Sequence, residues 1–306
     1  MAVEGKKGIK MSWEEYLITL YLKICKEYKE NLSFSCQRFT NGGCKAFTDE
    51  EVMIVYLIGV LRGFKSIKSL HCYASDHLKS WFPALPQYAA FVHRVNRLHE
   101  AFRQLIVTLQ AAQVTEDDDD VYLVDSFPIM LAQHQHAYTA KIAPEVAARG
   151  YCSTKKLHYY GVKAHVVARK RQGKLPDLEI LMLTDASCHD GPIFDQIRPM
   201  LHDNLGFGDQ AYKRPDAECI ELKQDLKILT PIKKAKGQKE LQPSQKAFSK
   251  AVSSMRQPIE ALFSWINRIT SVQNAGFVRS SAGFFSHIFG KFAAAILLRA
   301  YPLADF

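Results

Sequence analysis

Val121-Tyr-Leu-Val-Asp125-Ser-Phe-Pro128 is the stretch on which the fold turns. Its first four residues form a short apolar run that reads as a buried strand ending on a carboxylate. Just before it, Glu116 to Asp120 are five consecutive acids. They repel one another and cannot sit in a core, so they mark a domain boundary. The apolar period changes across this point, from helical spacing upstream to alternation downstream. That predicts a helical domain over residues 1–115 and an α/β domain over 121–306.

Upstream, Ser12-Trp-Glu-Glu15 and Thr48-Asp-Glu-Glu51 are capping boxes, each followed by an apolar run. Val52, Tyr56, Leu57, Val60 and Leu61 recur at spacings of three and four, which makes one helix face. Pro83 and Pro86 break the pattern, and a single helix is predicted over 87–113, with Phe91, Val95, Leu98, Phe102, Leu105 and Leu109 inward. Its other face carries His93, Arg94, Arg97 and Arg103. These arginines suit phosphate contacts, as in helix-turn-helix modules, or are a solvated helix face.

Downstream, residues 159–168 alternate and 178–183 follow as a second strand. A helix is predicted over 193–201, a short strand at Phe207 and a helix over 215–223. A strand over 228–232 and a Lys/Gln/Gly loop over 233–243 follow. Two helices, 245–270 and 281–301, close the chain, the second apolar on most sides and therefore buried. Strands mixed with helices in this order imply an α/β fold with a mixed sheet.

The 306 residues are 47% apolar, which suits a buried core, and carry a net charge of +9. The excess is local. Residues 141–174 hold nine Lys and Arg against one acid, and 227–256 hold eight against one. Such blocks point to a polyanion, most naturally DNA. Seven cysteines, from Cys25 to Cys219, show no zinc spacing, and an odd number argues for a reducing, cytoplasmic setting. The charged N-terminus lacks an apolar signal core, and the longest apolar run, Val52 to Leu61, is too short for a bilayer. No membrane is expected.

Three carboxylates stand beside apolar stretches: Asp125, Asp209 in Gly208-Asp-Gln-Ala-Tyr212, and Glu260 in Arg256-Gln-Pro-Ile-Glu260. A buried, unpaired carboxylate is costly, so each needs a cation or hydrogen-bond donors. If folding gathers them, they form an all-oxygen cage for Mg²⁺ or Mn²⁺. Two such ions, roughly 3.5–4 Å apart, serve phosphodiester chemistry. Taken singly, Asp125 and Asp209 equally suit turns or caps, and Glu260 an exposed helix position. Arg256, one helical turn before Glu260, either orients that carboxylate, holds a phosphate or forms a surface pair. Asp185, His189 and Asp190 cap the next helix or approach the site, and His165 reads as structural or site-facing.

In order along the chain, these segments resemble the DDE transposases of bacterial insertion sequences. Val124-Asp-Ser-Phe-Pro128 is similar to that family's first acidic strand, and His158-Tyr-Tyr-Gly-Val-Lys-Ala-His165 to its second strand. Gly208 to Tyr212 resembles the segment around its second acid, and Ile228-Leu-Thr-Pro-Ile-Lys-Lys234 the strand that follows. Arg256 to Glu260 resembles its Arg-x-x-x-Glu helix. The resemblance implies a ribonuclease-H-like catalytic domain with Asp125, Asp209 and Glu260 as catalytic residues and ligands of two Mg²⁺ or Mn²⁺ ions. It implies cleavage at element ends and strand transfer, with terminal inverted repeats and target DNA as partners and a homodimer in the DNA complex. In the cell such a protein is cytoplasmic, and nucleoid-associated when bound to DNA. DNA contacts are expected from Arg256, Lys163, Arg268, Lys233, Lys234, Lys236, Arg94 and Arg97. Asn267 stands where many relatives carry a basic residue, Ser253 where some carry Tyr, and Pro258 is expected to interrupt the helix just before Glu260. A DNA-binding protein that has lost catalysis and a nuclease without strand transfer are the rival readings.

Overall fold

The strand that opens at Val121 does not stop at Asp125. In the computed structural model, which describes residues 12–37, 45–112, 121–201, 205–213, 226–238 and 240–302, it runs on as β1, Val121–Gln133. Pro128 is tolerated because β1 pairs along its whole length only with β3 (Leu157–Arg169), antiparallel. On its other side β1 meets β5 (Leu205–Phe207), parallel, at residues 121–123 alone. Pro128 lies beyond that register, where a missing N–H breaks no second ladder.

The sheet continues as β6 (Lys227–Leu229), parallel to β5. Along the far edge of β3 lie β2 (Ala148–Cys152) and β4 (Asp177–Asp185), both antiparallel to it. Three antiparallel strands extended by two parallel ones, β4-β3-β1-β5-β6, give the mixed ribonuclease-H-like sheet expected from the sequence. The expected helix at 215–223 and the acidic run 116–120 lie outside the described residues.

Helices cover both faces of this sheet. On one, α6 (Asp190–Ile197) sets Ile193, Phe194 and Ile197 against Tyr122, Val124 and Val167. On the other, α7 (Pro243–Thr270) brings Phe263 to Phe127, ring centroids 4.5 Å apart. Alternation along β1 therefore sends Tyr122, Val124 and Ser126 to one face and Asp125 and Phe127 to the other. The helix α7 is continuous through Pro258, which corrects the expected interruption. Its inward row of Val252, Ile259, Leu262 and Ile266 is buried, and that packing outweighs the one lost backbone hydrogen bond.

The chain divides into two compact units. The strand-bearing unit comprises 113–268 and 273–277; the helical unit comprises 1–112, 269–272 and 278–306. The first division falls between 112 and 113, and the last helix, α8 (Ser281–Ala300), lies in the helical unit rather than with the strands. There it packs among α1 (Trp13–Glu27), α2 (Asp49–Leu61), α3 (Ile67–His77), α4 (Tyr88–Arg97) and α5 (His99–Ala111). The Ser286 hydroxyl donates to the Val95 carbonyl at 2.9 Å, and Gly290 admits the Tyr56 ring. By length and composition α8 could cross a bilayer, yet 72% of its apolar window is buried within the protein. Both capping boxes form as read, Ser12 with Glu15 and Thr48 with Glu51. The helix expected over 87–113 is two, broken at Leu98 (φ −90°, ψ 13°).

Candidate active site

Leu123 pairs with Phe207 across the parallel β1–β5 register. Asp125 and Asp209 each lie two residues beyond that rung, so the period of two aims both the same way from strands about 4.8 Å apart. Asp209 keeps extended backbone (φ −79°, ψ −179°). Its carboxylate accepts from the Ala211 N–H at 2.8 Å, opening a short turn that ends at Tyr212. Gly208 is required there: a Cβ would meet the Tyr212 ring at 2.8 Å. Tyr212 is buried against Phe194, ring centroids 5.5 Å apart, so it packs beside Asp209 rather than presenting a stacking face.

The third carboxylate arrives from α7. Arg256 and Glu260, one turn apart, are joined at 2.6 Å, and the other terminal nitrogen of Arg256 reaches Asp125 at 2.5 Å. A rigid guanidinium fork bonded to both carboxylates limits their nearest oxygens to a separation of no more than about 7.5 Å. Asp125 and Arg256 are mostly buried, with side chains 18% and 20% exposed, whereas Glu260 is 54% exposed. Burial pushes the Asp125 carboxyl up to about 6; Arg256 and the Ser126 N–H pull it down, while Asp209 and Glu260 push it further up. The three acids singled out in the sequence thus act on one another. Among the described residues, no three His, Cys, Asp or Glu side chains are gathered tightly enough to hold a metal as they stand. Arg256 lies between Asp125 and Glu260, and the Ala211 amide engages Asp209.

The opposite face of β1 carries a polar cluster that sequence reasoning only half found. Asp190, the first residue of α6, accepts from the Ser126 hydroxyl at 3.0 Å and pairs with Lys163 at 3.1 Å. It therefore ties α6 to β1 and β3 instead of capping its own helix. Lys163 also donates to the Cys188 carbonyl at 2.8 Å. His165 is buried and meets the Thr184 hydroxyl at 2.8 Å; burial pushes it down to about 4, with Asp190 opposing. It is neutral at ordinary pH, and its role is structural. Asp185 is occupied locally by the Ser187 amide and the Cys188 thiol. The signal for Asp190 was present in the Asp185-Ala-Ser-Cys-His-Asp190 run, but its partners lie far off along the chain.

The remaining basic candidates divide. Lys233 and Lys236 are exposed in the segment after β6, Lys234 is exposed with a partner of its own, and Arg268 is exposed on α7. Arg94 and Arg97 differ from expectation: both are bound to Asp49, at 2.7 and 3.2 Å, and Arg97 also donates to the Cys36 carbonyl. Arg103 is likewise paired with Glu100. One carboxylate, Asp49, is thus shared by Arg94 and Arg97, while the Arg103–Glu100 pair stays on the surface. Asn267 has a structural task, accepting from the Gln273 N–H at 3.1 Å. That fixes a turn whose Gln273 carbonyl then receives the Met130 N–H at 2.8 Å.

No curated protein and no solved structure matches this chain. A family model does, that of the transposase DDE domain, over residues 116–297. The match covers more than half of the 306 residues and includes all three acids. With Asp125 and Glu260 bonded to one guanidinium on a ribonuclease-H-like sheet, the chain belongs to the transposase DDE domain family.

Proposed function

We propose that this transposase cuts DNA at the ends of an insertion element and joins the freed 3′-hydroxyl to target DNA, with Asp125, Asp209 and Glu260 holding two Mg²⁺ or Mn²⁺ ions. The observation that carries the reading is that Asp125 of β1 and Glu260 of α7 meet at one guanidinium, while Asp209, in the turn after β5, lies near enough to raise the Asp125 carboxyl. An all-oxygen donor set with a mostly buried member raised above the carboxylate range fits a hard divalent cation. When bound, such ions would activate the attacking water or hydroxyl and stabilise the departing oxygen.

The chain's own residues do the rest. Asp125, on β1, and Asp209, two residues past the end of the adjacent β5, give a rigid base to the site. Glu260, half exposed on α7, is free to adjust its side chain. Arg256 offsets one of the two charges of Asp125 and Glu260 and, one helical turn from Glu260, would be placed to take a DNA phosphate if metal ions held those carboxylates. Lys233, Lys234, Lys236 and Arg268 supply further phosphate contacts. Two element ends must be held together for joining, so the working complex contains at least two copies.

The test is Mg²⁺-dependent cleavage of DNA carrying the element's terminal repeats. Asp125→Ala, Asp209→Ala and Glu260→Ala should each lower the rate by at least about 100-fold. Wild-type cleavage by Asp125→Ala would end the assignment. The guanidinium seated among the carboxylates also suits a protein that binds DNA without cutting. Retarded migration of DNA with no cleavage at any Mg²⁺ or Mn²⁺ concentration would favour that second reading.

A further inference from the structure

Away from the carboxylates, the strand-bearing unit has a cleft of about 760 Å³ between β2, the end of β4 and the short 3-10 turn that ends at Tyr138. Its size is that of a small-ligand pocket, but it is open, and its rim mixes aromatic side chains with polar and basic ones. Tyr138, Tyr151 and His158, from three separate elements, stand in a row along it. Tyr151 and His158 are cross-strand partners with ring centroids 4.9 Å apart, and Tyr138 stands 6.3 Å from His158. The guanidinium of Arg149 lies 5.3 Å from the Tyr138 ring.

These rings do not serve the core. Tyr138 is 60% exposed and Tyr151 55%, and His158 is exposed as well. Three aromatic faces kept in water beside an arginine are costly unless something planar and anionic covers them. The surrounding segment, 141–174, carries nine basic residues and one acid. In duplex DNA the base faces already stack on one another, so exposed rings gain only from bases that are unpaired.

We infer that this cleft seats unpaired nucleotides of a DNA strand, with bases stacked on Tyr138, Tyr151 and His158 and phosphate held by Arg149. The inference rests on the reading that DNA is the substrate and adds where, and in what form, a strand is gripped. Lys163, at the inner end of the cleft, is three residues along β3 from Val166, the partner of Asp125, and His158 is eight. At the rise of an extended strand the cleft therefore spans from about 10 to about 26 Å beyond the level of Asp125. These are distances along β3 only; Lys163 itself lies on the face that carries Asp190, opposite Asp125.

The experiment is fluorescence anisotropy with labelled oligothymidine of about 12 nucleotides, and a labelled duplex of equal length, at fixed salt. The Tyr138→Ala/Tyr151→Ala protein should bind oligothymidine about 10- to 100-fold more weakly and the duplex within about twofold of wild type. The Tyr138→Phe/Tyr151→Phe protein, which keeps the rings, should retain oligothymidine binding within about twofold. Both tyrosines are exposed, and circular dichroism checks that the variants are folded. The inference is overturned if the alanine pair binds oligothymidine like wild type, if it loses duplex binding equally, or if the phenylalanine pair fails as badly. Wild-type protein that binds duplex but not oligothymidine sinks this inference alone. Wild-type protein that binds neither removes the DNA reading beneath it.

Discussion

Arg256 is the group whose removal says most about this site. Its two bonds are of similar length, 2.5 Å to Asp125 and 2.6 Å to Glu260, yet they should differ in energy because their surroundings differ. Asp125 and Arg256 are each about four-fifths covered, so their charge-assisted bond should contribute about 1.5–3 kcal/mol. Glu260 is more than half exposed, and an exposed pair one turn apart contributes only about 0.3–0.5 kcal/mol. Arg256→Ala should therefore destabilise the strand-bearing unit by about 2–3 kcal/mol at pH 7.5 without divalent ions, nearly all of it through Asp125.

Two double-mutant cycles separate the terms, one pairing Arg256→Ala with Asp125→Asn and the other with Glu260→Gln. Trp265 is the only tryptophan in the strand-bearing unit, the others being Trp13 and Trp81. Urea unfolding followed by Trp265 fluorescence in a Trp13→Phe/Trp81→Phe background thus reports on the correct unit. The first coupling energy should exceed about 1.5 kcal/mol and the second should stay below about 0.5. A second coupling as large as the first, or a first near zero, would refute the argument that burial decides which bond matters.

Titration of Asp125 gives another outcome. Its folded carboxyl is held at about 6 against an ordinary 3.8, so the folded protein binds more protons between those values. Stability present at pH 4 is then lost as pH rises through 6, and wild type should lose about 1–3 kcal/mol relative to Asp125→Asn between pH 4 and 7.5 in urea titrations. In the helical unit, burial pushes Lys291 down to about 7, with only the Ser271 and Lys65 carbonyls at 3.3 and 3.4 Å to receive its protons. The cost of its charge is full below pH 7 and fades as pH climbs. Lys291→Met should therefore raise stability by about 1–4 kcal/mol at pH 6 and by less at pH 9, read from thermal melts. Gly161→Ala should be among the most damaging exposed-to-core changes, since its Cβ would collide with the Ile129 carbonyl oxygen where β1 and β3 approach. A loss of about 3 kcal/mol or more is expected, and an unchanged urea midpoint would contradict the register.

What could be read from sequence was whatever is set by local chemistry. Ser12 with Glu15 and Thr48 with Glu51 announce their helices because a cap and its partner are three residues apart. Asp125, Asp209 and Glu260 stand out because each sits in a short motif, and the order of these motifs along the chain points to the family whose match spans all three. The errors come from forces acting across long separations. The first strand was expected to end at Asp125, but it runs on to Gln133, and Pro128 is tolerated within it because β1 has only one ladder at that point. Pro258 looked like a helix break, but α7 is held by an apolar row packed on the sheet. Arg94 and Arg97 looked like an open basic face until Asp49, 45 residues earlier than Arg94, took both. β2 was missed because Ala148-Arg-Gly-Tyr-Cys152 has no alternation; it is a strand because β3 offers it an unpaired edge.

The arrangement at Arg256 also answers how three carboxylates can stand close together before any metal is bound. Left alone, Asp125 would lose its charge, since burial already carries it to about 6 with a guanidinium attached. Asp209 meets part of its need with the Ala211 amide, and Glu260 remains in water. The fold thus lets a resident cation satisfy the most deeply placed bonded carboxylate, Asp125, whose side chain is 18% exposed against 54% for Glu260. On the proposed reading, Asp125 and Glu260 would hold divalent ions only if Arg256 gave up its bonds to them, which would leave its guanidinium available for a DNA phosphate. Removing Arg256 should then tighten Mg²⁺ binding while weakening DNA binding. A purely structural arginine would weaken both.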